Sequence, residues 1–160
     1  MGEPGGIGGE LTVMAWRALS KSGPVFFAID DPDRLAAIGA PVKIIAAPSD
    51  AARVFAEALP VMALARPVAA APGRAGLDTA QSVIESIERA AGFALDGAAS
   101  GVVTNPIQKS ALAAAGFAFP GHTEFLAALT AHAAMPAHCT RGPVMMLIGP
   151  GLRVVPATIH

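Results

Sequence analysis

The stretch from residue 25 to residue 46, VFFAIDDPDRLAAIGAPVKIIA, carries the pattern that decides the fold. Val25–Ile29 is a short apolar run, which predicts a buried strand. Pro32 then favours the first turn of a helix, and Gly39 favours its end. Val42–Ala46 is a second apolar run of strand length. A strand, a helix and a second strand in this order predict a three-layer α/β fold with a largely parallel sheet.

The same alternation continues along the rest of the chain. The further predicted strands are 61–64, which is the weakest, Ala99–Val103, 143–149 with Val144–Ile148 as its apolar centre, and 152–158. The further predicted helices are 49–59 with Ser49 as its N-cap, 78–91 closed by Gly92, 106–115 closed by Gly116, and one that starts at Thr123. Pro67–Gly76 is predicted to be an irregular connection, too short to divide residues 1–160 into independent domains.

Two helices have apolar residues at helical spacing, which predicts the face that each buries. The inward residues expected of the first helix are Leu11, Met14, Ala15, Ala18 and Leu19. In the helix over 78–91, the residues expected to face outward are Glu85, Ser86, Glu88 and Arg89.

Composition excludes several classes of protein. The 160 residues are 53% hydrophobic and 14% charged, against about 25% charged in an average soluble domain, so intrinsic disorder is excluded. The most apolar uncharged stretch contains two histidines and a proline and is too short to span a membrane. The net charge of −1, with no Tyr and one Trp, does not favour nucleic-acid binding. The single cysteine, Cys139, fits a reducing, cytoplasmic location.

A glycine-rich segment precedes the first helix. Residues 2–10 read GEPGGIGGE, and glycines before a helix allow close approach of the backbone to an anion. The segment lacks a Walker lysine and the spacing of a dinucleotide fingerprint. From the spacing alone, a turn that simply caps the helix is therefore the more ordinary interpretation.

Polar residues follow the predicted strand Ala99–Val103. Residues 104–109 read TNPIQK, and ligands of open α/β sheets bind at the carboxyl ends of strands. Lys109 could reach an anionic substrate as a compact positive charge. The alternative makes Asn105 a helix cap and Lys109 a solvated residue, and the residues alone do not decide between the two.

A histidine lies at the start of the next predicted helix. Residues 120–125 read PGHTEF, so that His122 would project beside a helix N-terminus, where phosphate or carboxylate is favoured. A purely structural histidine is the alternative, and the residues alone do not decide between the two. Thr123 can cap that helix. His160 follows a predicted strand and is a reasonable metal ligand, whereas His132 and His138 are six residues apart and are interpreted as structural or surface groups.

Taken together and in this order, these segments resemble the 4-hydroxythreonine-4-phosphate dehydrogenase family, from Gly2 to His160. PGHTEF is the most specific of them, and VMML at 144–147 and ATIH at 157–160 extend the match. The resemblance implies the α/β/α fold of the isocitrate/isopropylmalate dehydrogenase type. It implies NAD(P)-dependent oxidation of 4-phosphooxy-L-threonine and decarboxylation to 3-amino-2-oxopropyl phosphate in pyridoxal phosphate biosynthesis. It also implies a homodimer, NAD or NADP, and a divalent metal (zinc, magnesium or cobalt) held by three histidines.

Residue by residue, the resemblance assigns substrate binding to His122 and Thr123, one metal ligand to His160, and a place in the active-site region to Lys109. Family chains continue for about as long again. Residues 1–160 are therefore expected to be an N-terminal portion that lacks the other two metal histidines and is inactive alone. The alternatives are a paralogue acting on 4-phospho-erythronate, 4-phospho-threonate or a cis-diol acid, and a non-catalytic fragment.

Overall fold

A parallel sheet of three strands organises the first part of the chain. The computed structural model describes residues 1–74, 76 and 79–157. Its strands are β1 Ala28–Asp30, β2 Val42–Ile44, β3 Leu59–Ala63, β4 Leu147–Gly149 and β5 Leu152–Val154. Its α-helices are α1 Gly8–Leu19, α2 Pro32–Ala37, α3 Ala51–Val54, α4 Ala80–Leu95, α5 Lys109–Ala114 and α6 His122–Leu129. The chain divides into two compact units, Met1–Ala118 and Phe119–His160.

Strand β3 lies in the centre of the parallel sheet, although it is the last of the three strands along the chain. The strand order is β1-β3-β2 and both pairings are parallel. Ala28 of β1 pairs with Val61, and Val42 of β2 pairs with Leu59. Helix α2 connects the two outer strands, and Asp31 begins it by accepting hydrogen bonds from the amides of its first turn. The strand–helix–strand prediction for residues 25–46 is confirmed, although β1 covers only Ala28–Asp30.

Helices cover both faces of this sheet. Neighbouring residues of a strand point to opposite faces, and Val61 and Met62 of β3 accordingly belong to different hydrophobic clusters. Val61 packs with residues of α1 and α2, namely Val13, Trp16 and Leu35. Met62 packs with residues of α3 and α4, namely Ala51, Val54, Ala90 and Phe93. The unit Met1–Ala118 is thus a three-layer α/β/α arrangement, as the sequence predicted.

The strand predicted as the weakest is the most buried. β3 starts at Leu59, and its first four residues are buried. Pro60 masked this strand in the sequence, because a proline is ordinarily confined to sheet edges. Here its missing N–H is tolerated, because the pairing with β1 begins only at Val61.

The predicted helix over 49–59 is wrong in length. A short 3₁₀ turn, Pro48–Asp50, leads into α3, which ends at Val54. Ser49 is not its cap, since the Asp50 carboxylate accepts the hydrogen bond from the Ala47 amide instead. The chain is needed in extended form from Leu59 onward, so the helix cannot continue that far.

The predicted strand Ala99–Val103 is not present. These residues form neither helix nor strand, and Val103 is 99% exposed. An apolar run becomes a strand only where another strand can pair with it. The next helix, α5, starts at Lys109, three residues later than predicted, and Gly116 with φ of +87° follows it.

The inward face predicted for helix α1 is wrong. In α1 the buried large residues are Val13 and Trp16, while Leu11 and Met14 are 42% and 62% exposed. The Trp16 indole donates a buried hydrogen bond to the Phe55 carbonyl, which fixes the rotation of the helix. All five residues predicted to face inward are exposed or only half-buried.

Helix α4 buries the face predicted from its apolar spacing, but it departs from the prediction at one outward residue and at its end. Ser86 is only 2% exposed, and its hydroxyl is satisfied there because it lies within hydrogen-bond distance of the Val83 carbonyl. The helix also continues through Gly92, and Gly97, with φ of +72°, follows its end.

The unit Phe119–His160 contains α6 and an antiparallel hairpin. Phe125 of α6 is 5% exposed and packs against Phe119, with 5.1 Å between the centroids of the two rings. Strands β4 and β5 pair around Pro150 and form their own two-stranded sheet, not an edge of the parallel sheet. In the described part of the chain, every helix is too short or too polar to cross a membrane.

Candidate functional site

The glycine-rich segment and the TNPIQK segment lie against each other. The Glu3 amide donates a hydrogen bond of 2.8 Å to the Pro106 carbonyl. Glycine makes this approach possible, since a Cβ at Gly2 would lie 2.7 Å from the Cβ of Asn105. A Cβ at Gly8 would lie 2.9 Å from the same atom. Two of the segments singled out in the sequence therefore form one site.

Asn105 has a partner that neither sequence interpretation foresaw. Its Nδ2 donates to the Thr12 hydroxyl at 3.0 Å, and that hydroxyl donates to the Gly8 carbonyl at 2.8 Å. The residue that flanks α5 is Gln108, so Asn105 is not its cap. A bond between residues 93 positions apart has no signature in local sequence.

A cavity of about 310 Å³ opens at this junction. Its lining residues are Glu3, Gly5, Gly6, Gly73 and Gln108. The Gly73 amide donates to the Gly5 carbonyl at 2.7 Å, and the Glu3 carboxylate accepts a bond from the Gly5 amide at 3.2 Å. The lining offers one carboxylate, one carboxamide and glycine backbone, a set that can hydrogen-bond a polar ligand.

A buried ion pair holds the other side of the glycine-rich segment. Asp30, 1% exposed at the end of β1, accepts bonds from Arg34 at 3.0 and 2.6 Å. The same guanidinium donates to the Pro4 carbonyl at 3.4 Å. A Cβ at Gly9 would lie 2.7 Å from this guanidinium, so the glycine there is needed for close packing. The segment is thus fixed both to α2 and to residues 105–106.

The first residue of the chain is anchored beside this ion pair. The Met1 amine donates to the Ile29 carbonyl at 2.9 Å, and the Ser86 hydroxyl donates to the Met1 carbonyl at 3.0 Å. Burial lowers the pKa of the Met1 amine, and the Asp30 carboxylate opposes that shift.

Lys109 is the first residue of α5, and it is exposed. No ion pair to its ammonium occurs within residues 1–74, 76 and 79–157. A cation at a helix N-terminus is electrostatically unfavourable. The ammonium is therefore available to an anion from solution.

His122 and Thr123 lie in the first turn of α6, in the second compact unit. The helix begins at His122 after Gly121, one residue earlier than predicted, so Thr123 lies inside it and is not its cap. His122 is half-buried and Thr123 is exposed. Glu124 places a carboxylate in the same turn, which favours the helix but would repel an anion that bound too close to it.

The metal site implied by the resemblance does not lie in the described residues. His160 falls outside them. Across the described ranges, no three His, Cys, Asp or Glu side chains come close enough together to hold a metal ion. The described residues therefore do not provide a complete metal site.

A second cavity, of about 170 Å³, was missed by sequence reasoning. It lies beyond the carboxyl ends of β1 and β3, and its lining residues are Asp31, Pro32, Asp33, Leu64, Arg66 and Pro67. Asp31 is engaged structurally, since its carboxylate accepts bonds from the Val68 amide at 2.7 Å and the Asp33 amide at 2.9 Å. The acidic pair after an apolar strand was its only local signal.

Comparison with known proteins gives a consistent match. Residues 26–160 match the family model described as pyridoxal phosphate biosynthetic protein PdxA. A 4-hydroxythreonine-4-phosphate dehydrogenase from Caulobacter vibrioides is 48% identical over 161 residues, covering 99% of this chain and 48% of that relative. A dehydrogenase of the same name from Xanthobacter autotrophicus is 45% identical, covering 100% of this chain and 47% of that relative.

A solved structure shares the fold. The crystal structure of 4-hydroxythreonine-4-phosphate dehydrogenase from Klebsiella pneumoniae superposes with a TM-score of 0.71 and 28% identity, over 97% of this chain and 47% of that one. The chain spans about half the length of the curated relatives it matches.

Proposed function

This chain belongs to the pyridoxal phosphate biosynthetic protein PdxA family, and on that premise we propose that it forms part of a 4-hydroxythreonine-4-phosphate dehydrogenase. The reaction is NAD(P)-dependent oxidation of 4-phosphooxy-L-threonine followed by loss of CO₂. The observation that carries the proposal is the 48% identity to the Caulobacter dehydrogenase across 99% of this chain.

His122 and Thr123 bind the phosphate of the substrate. Both lie in the first turn of α6, where the helix dipole and the backbone amides favour an anion. The imidazole and the hydroxyl add side-chain donors at the same place. Because Thr123 does not cap the helix, its exposed hydroxyl is available for this contact.

Lys109 contributes a positive charge to an anionic group of the substrate. Its support is the exposed ammonium at the start of α5, where no helix-stabilising role accounts for it. An ammonium acts here as a compact charge that orients the ligand, without the two-point geometry of an arginine.

NAD or NADP, when bound, accepts the hydride, and a zinc, magnesium or cobalt ion supplies Lewis acidity at the oxidised hydroxyl. His160 contributes one ligand to that ion. The described residues contain no complete ligand set for that ion.

Residues 1–160 act as the N-terminal portion of the enzyme. They work together with a portion that corresponds to the half of the relatives that this chain does not span, and the enzyme is a homodimer. The apolar hairpin of the second unit supports this arrangement. Five of the six residues in β4 and β5 are hydrophobic or glycine, and all six are exposed.

Binding of the substrate tests this assignment directly in the 160-residue chain. 4-Phosphooxy-L-threonine is titrated into the ¹⁵N-labelled chain, and shifts are expected at the amides of Thr123 and Glu124. His122→Ala should weaken binding about tenfold or more, by loss of one hydrogen bond to a charged group. His132→Ala, in the same unit, is the matched control. Equal and small effects of the two substitutions would make His122 a structural residue.

A further inference from the structure

Asn105 is enclosed by the glycine-rich segment. Its Cβ faces both Gly2 and Gly8. A Cβ on either glycine would lie within 3.0 Å of the Asn105 Cβ. Its amide group donates to Thr12, one helical turn into α1. The side chain is half-buried, whereas Thr104 and Pro106 on either side of it are exposed.

The residue that follows Asn105 is a proline, which restricts the backbone at this point. Pro106 fixes its own φ and restricts the residue before it to extended conformations. Gln108, which lines the 310 Å³ cavity, is three residues from Asn105, and Lys109 is four residues away. A displacement of Asn105 would therefore move the start of the short segment that carries both.

We propose that Asn105 and Thr12 are positioning residues, which set the distance between the Glu3 and Gln108 sides of the cavity and aim Lys109. The hydrogen bond joins the helix that follows Glu3 to the segment that carries Gln108. The claim about Lys109 rests on the proposed function, whereas the geometry of the cavity does not.

The Thr12 hydroxyl is suited to this role, because it uses both of its hydrogen-bonding capacities. It donates to the Gly8 carbonyl and accepts from Asn105. Thr130 in the second unit makes the same kind of bond to a carbonyl four residues back, at 2.8 Å. Within the described residues, its hydroxyl accepts no bond from a side chain distant in sequence, as the Thr12 hydroxyl does from Asn105. Thr130 provides a matched control for the loss of a hydroxyl alone.

The experiment uses three variants of the full 160-residue chain: Thr12→Val, Asn105→Ala and the double variant that combines these two substitutions. Each is compared with the control variant Thr130→Val. Thr12→Ser, which restores the hydroxyl, is the conservative rescue. The readouts are hydrogen exchange of the Glu3 amide and the side-chain amide resonance of Gln108. Denaturant unfolding of every variant separates these local readouts from global stability.

The proposal expects Glu3 amide exchange to rise about fivefold in Thr12→Val and Asn105→Ala, the equivalent of one ordinary hydrogen bond. The Gln108 resonance should shift in both, the double variant should add little, and Thr12→Ser should restore the parent values. Unchanged exchange and an unchanged Gln108 resonance, or changes equal to those in Thr130→Val, would overturn it.

A separate experiment tests whether the Asn105–Thr12 bond affects catalysis. This chain replaces the matching 161 residues of the Caulobacter dehydrogenase, and Thr12→Val is expected to lower kcat/KM of the chimera about fivefold. An active chimera that is insensitive to Thr12→Val contradicts the aiming of Lys109. An inactive parent chimera contradicts the proposed function, and the exchange data still decide the geometry of the cavity.

Discussion

The parallel sheet β1-β3-β2 and the hairpin β4-β5 are built from similar short apolar strands but have opposite surroundings. Leu59 and Val61 of β3 are 0% exposed, whereas Leu147 and Ile148 of β4 are 60% and 72% exposed. The sheet has helices on both faces, and each strand is joined to the next through a helix. The hairpin strands are joined by a tight turn, which brings no covering layer with it.

The difference shows that apolar composition predicts burial only together with the elements that cover it. In the α/β segment the chain supplies strand and cover within a few tens of residues. In the hairpin, every large hydrophobic residue from Val144 to Val155 is exposed, and exposed apolar side chains clustered in this way are typical of a surface that a partner covers. The stability of the chain should therefore depend on the sheet and hardly on the hairpin.

The largest effect is expected from the buried ion pair at the end of β1. Arg34→Ala leaves the Asp30 carboxylate buried without its partner, which should cost about 3 kcal/mol or more. Arg153→Ala, in the exposed strand β5, should change the free energy of unfolding by less than about 0.5 kcal/mol. Denaturant unfolding of both variants measures the contrast. Similar losses would show that the hairpin contributes to the core.

Matched leucines give the next contrast. Leu59→Ala should lower the free energy of unfolding by about 2–3 kcal/mol, because it opens a cavity in the core. Leu147→Ala removes the same atoms from an exposed strand and should cost less than about 0.5 kcal/mol. Thermal or denaturant unfolding is sufficient. A loss of more than about 1.5 kcal/mol at Leu147 would contradict the exposure of the hairpin.

A smaller effect, on association and not on stability, is expected from a charge on the hairpin. Exposed apolar strands with unpaired edges tend to self-associate, and lysine on such a strand opposes it. Ile148→Lys should therefore increase the monomer fraction in light scattering at high protein concentration, with Ile148→Leu as the control. No change in the monomer fraction would mean that this surface does not mediate self-association of the isolated chain.

Local sequence predicted much of the sheet but little of the site. Pro32, Gly39 and the apolar runs around them were sufficient for β1, α2 and β2. Pro60 hid the central strand, because its compatibility depends on where the neighbouring strand begins to pair. The rotation of α1 likewise depends on a bond from Trp16 to Phe55, 39 positions away.

The candidate site shows the same limit. The glycine-rich segment, TNPIQK and PGHTEF were recognised as polar segments next to predicted elements. The contact of Asn105 with Thr12 could not be predicted, because it depends on packing between distant parts of the chain. The roles of His122, Thr123, Lys109 and His160 remain predictions from the family resemblance, and His160 lies outside the described residues.

The most direct test of the account is the formation of NADH or NADPH from 4-phosphooxy-L-threonine, with added zinc, magnesium or cobalt. The isolated chain, whose described residues contain no metal-ligating cluster, is expected to give none. The chimera with the Caulobacter dehydrogenase should turn over, and His122→Ala should reduce its rate far more than His132→Ala. Robust turnover by the isolated chain that His160→Ala abolishes would contradict the account.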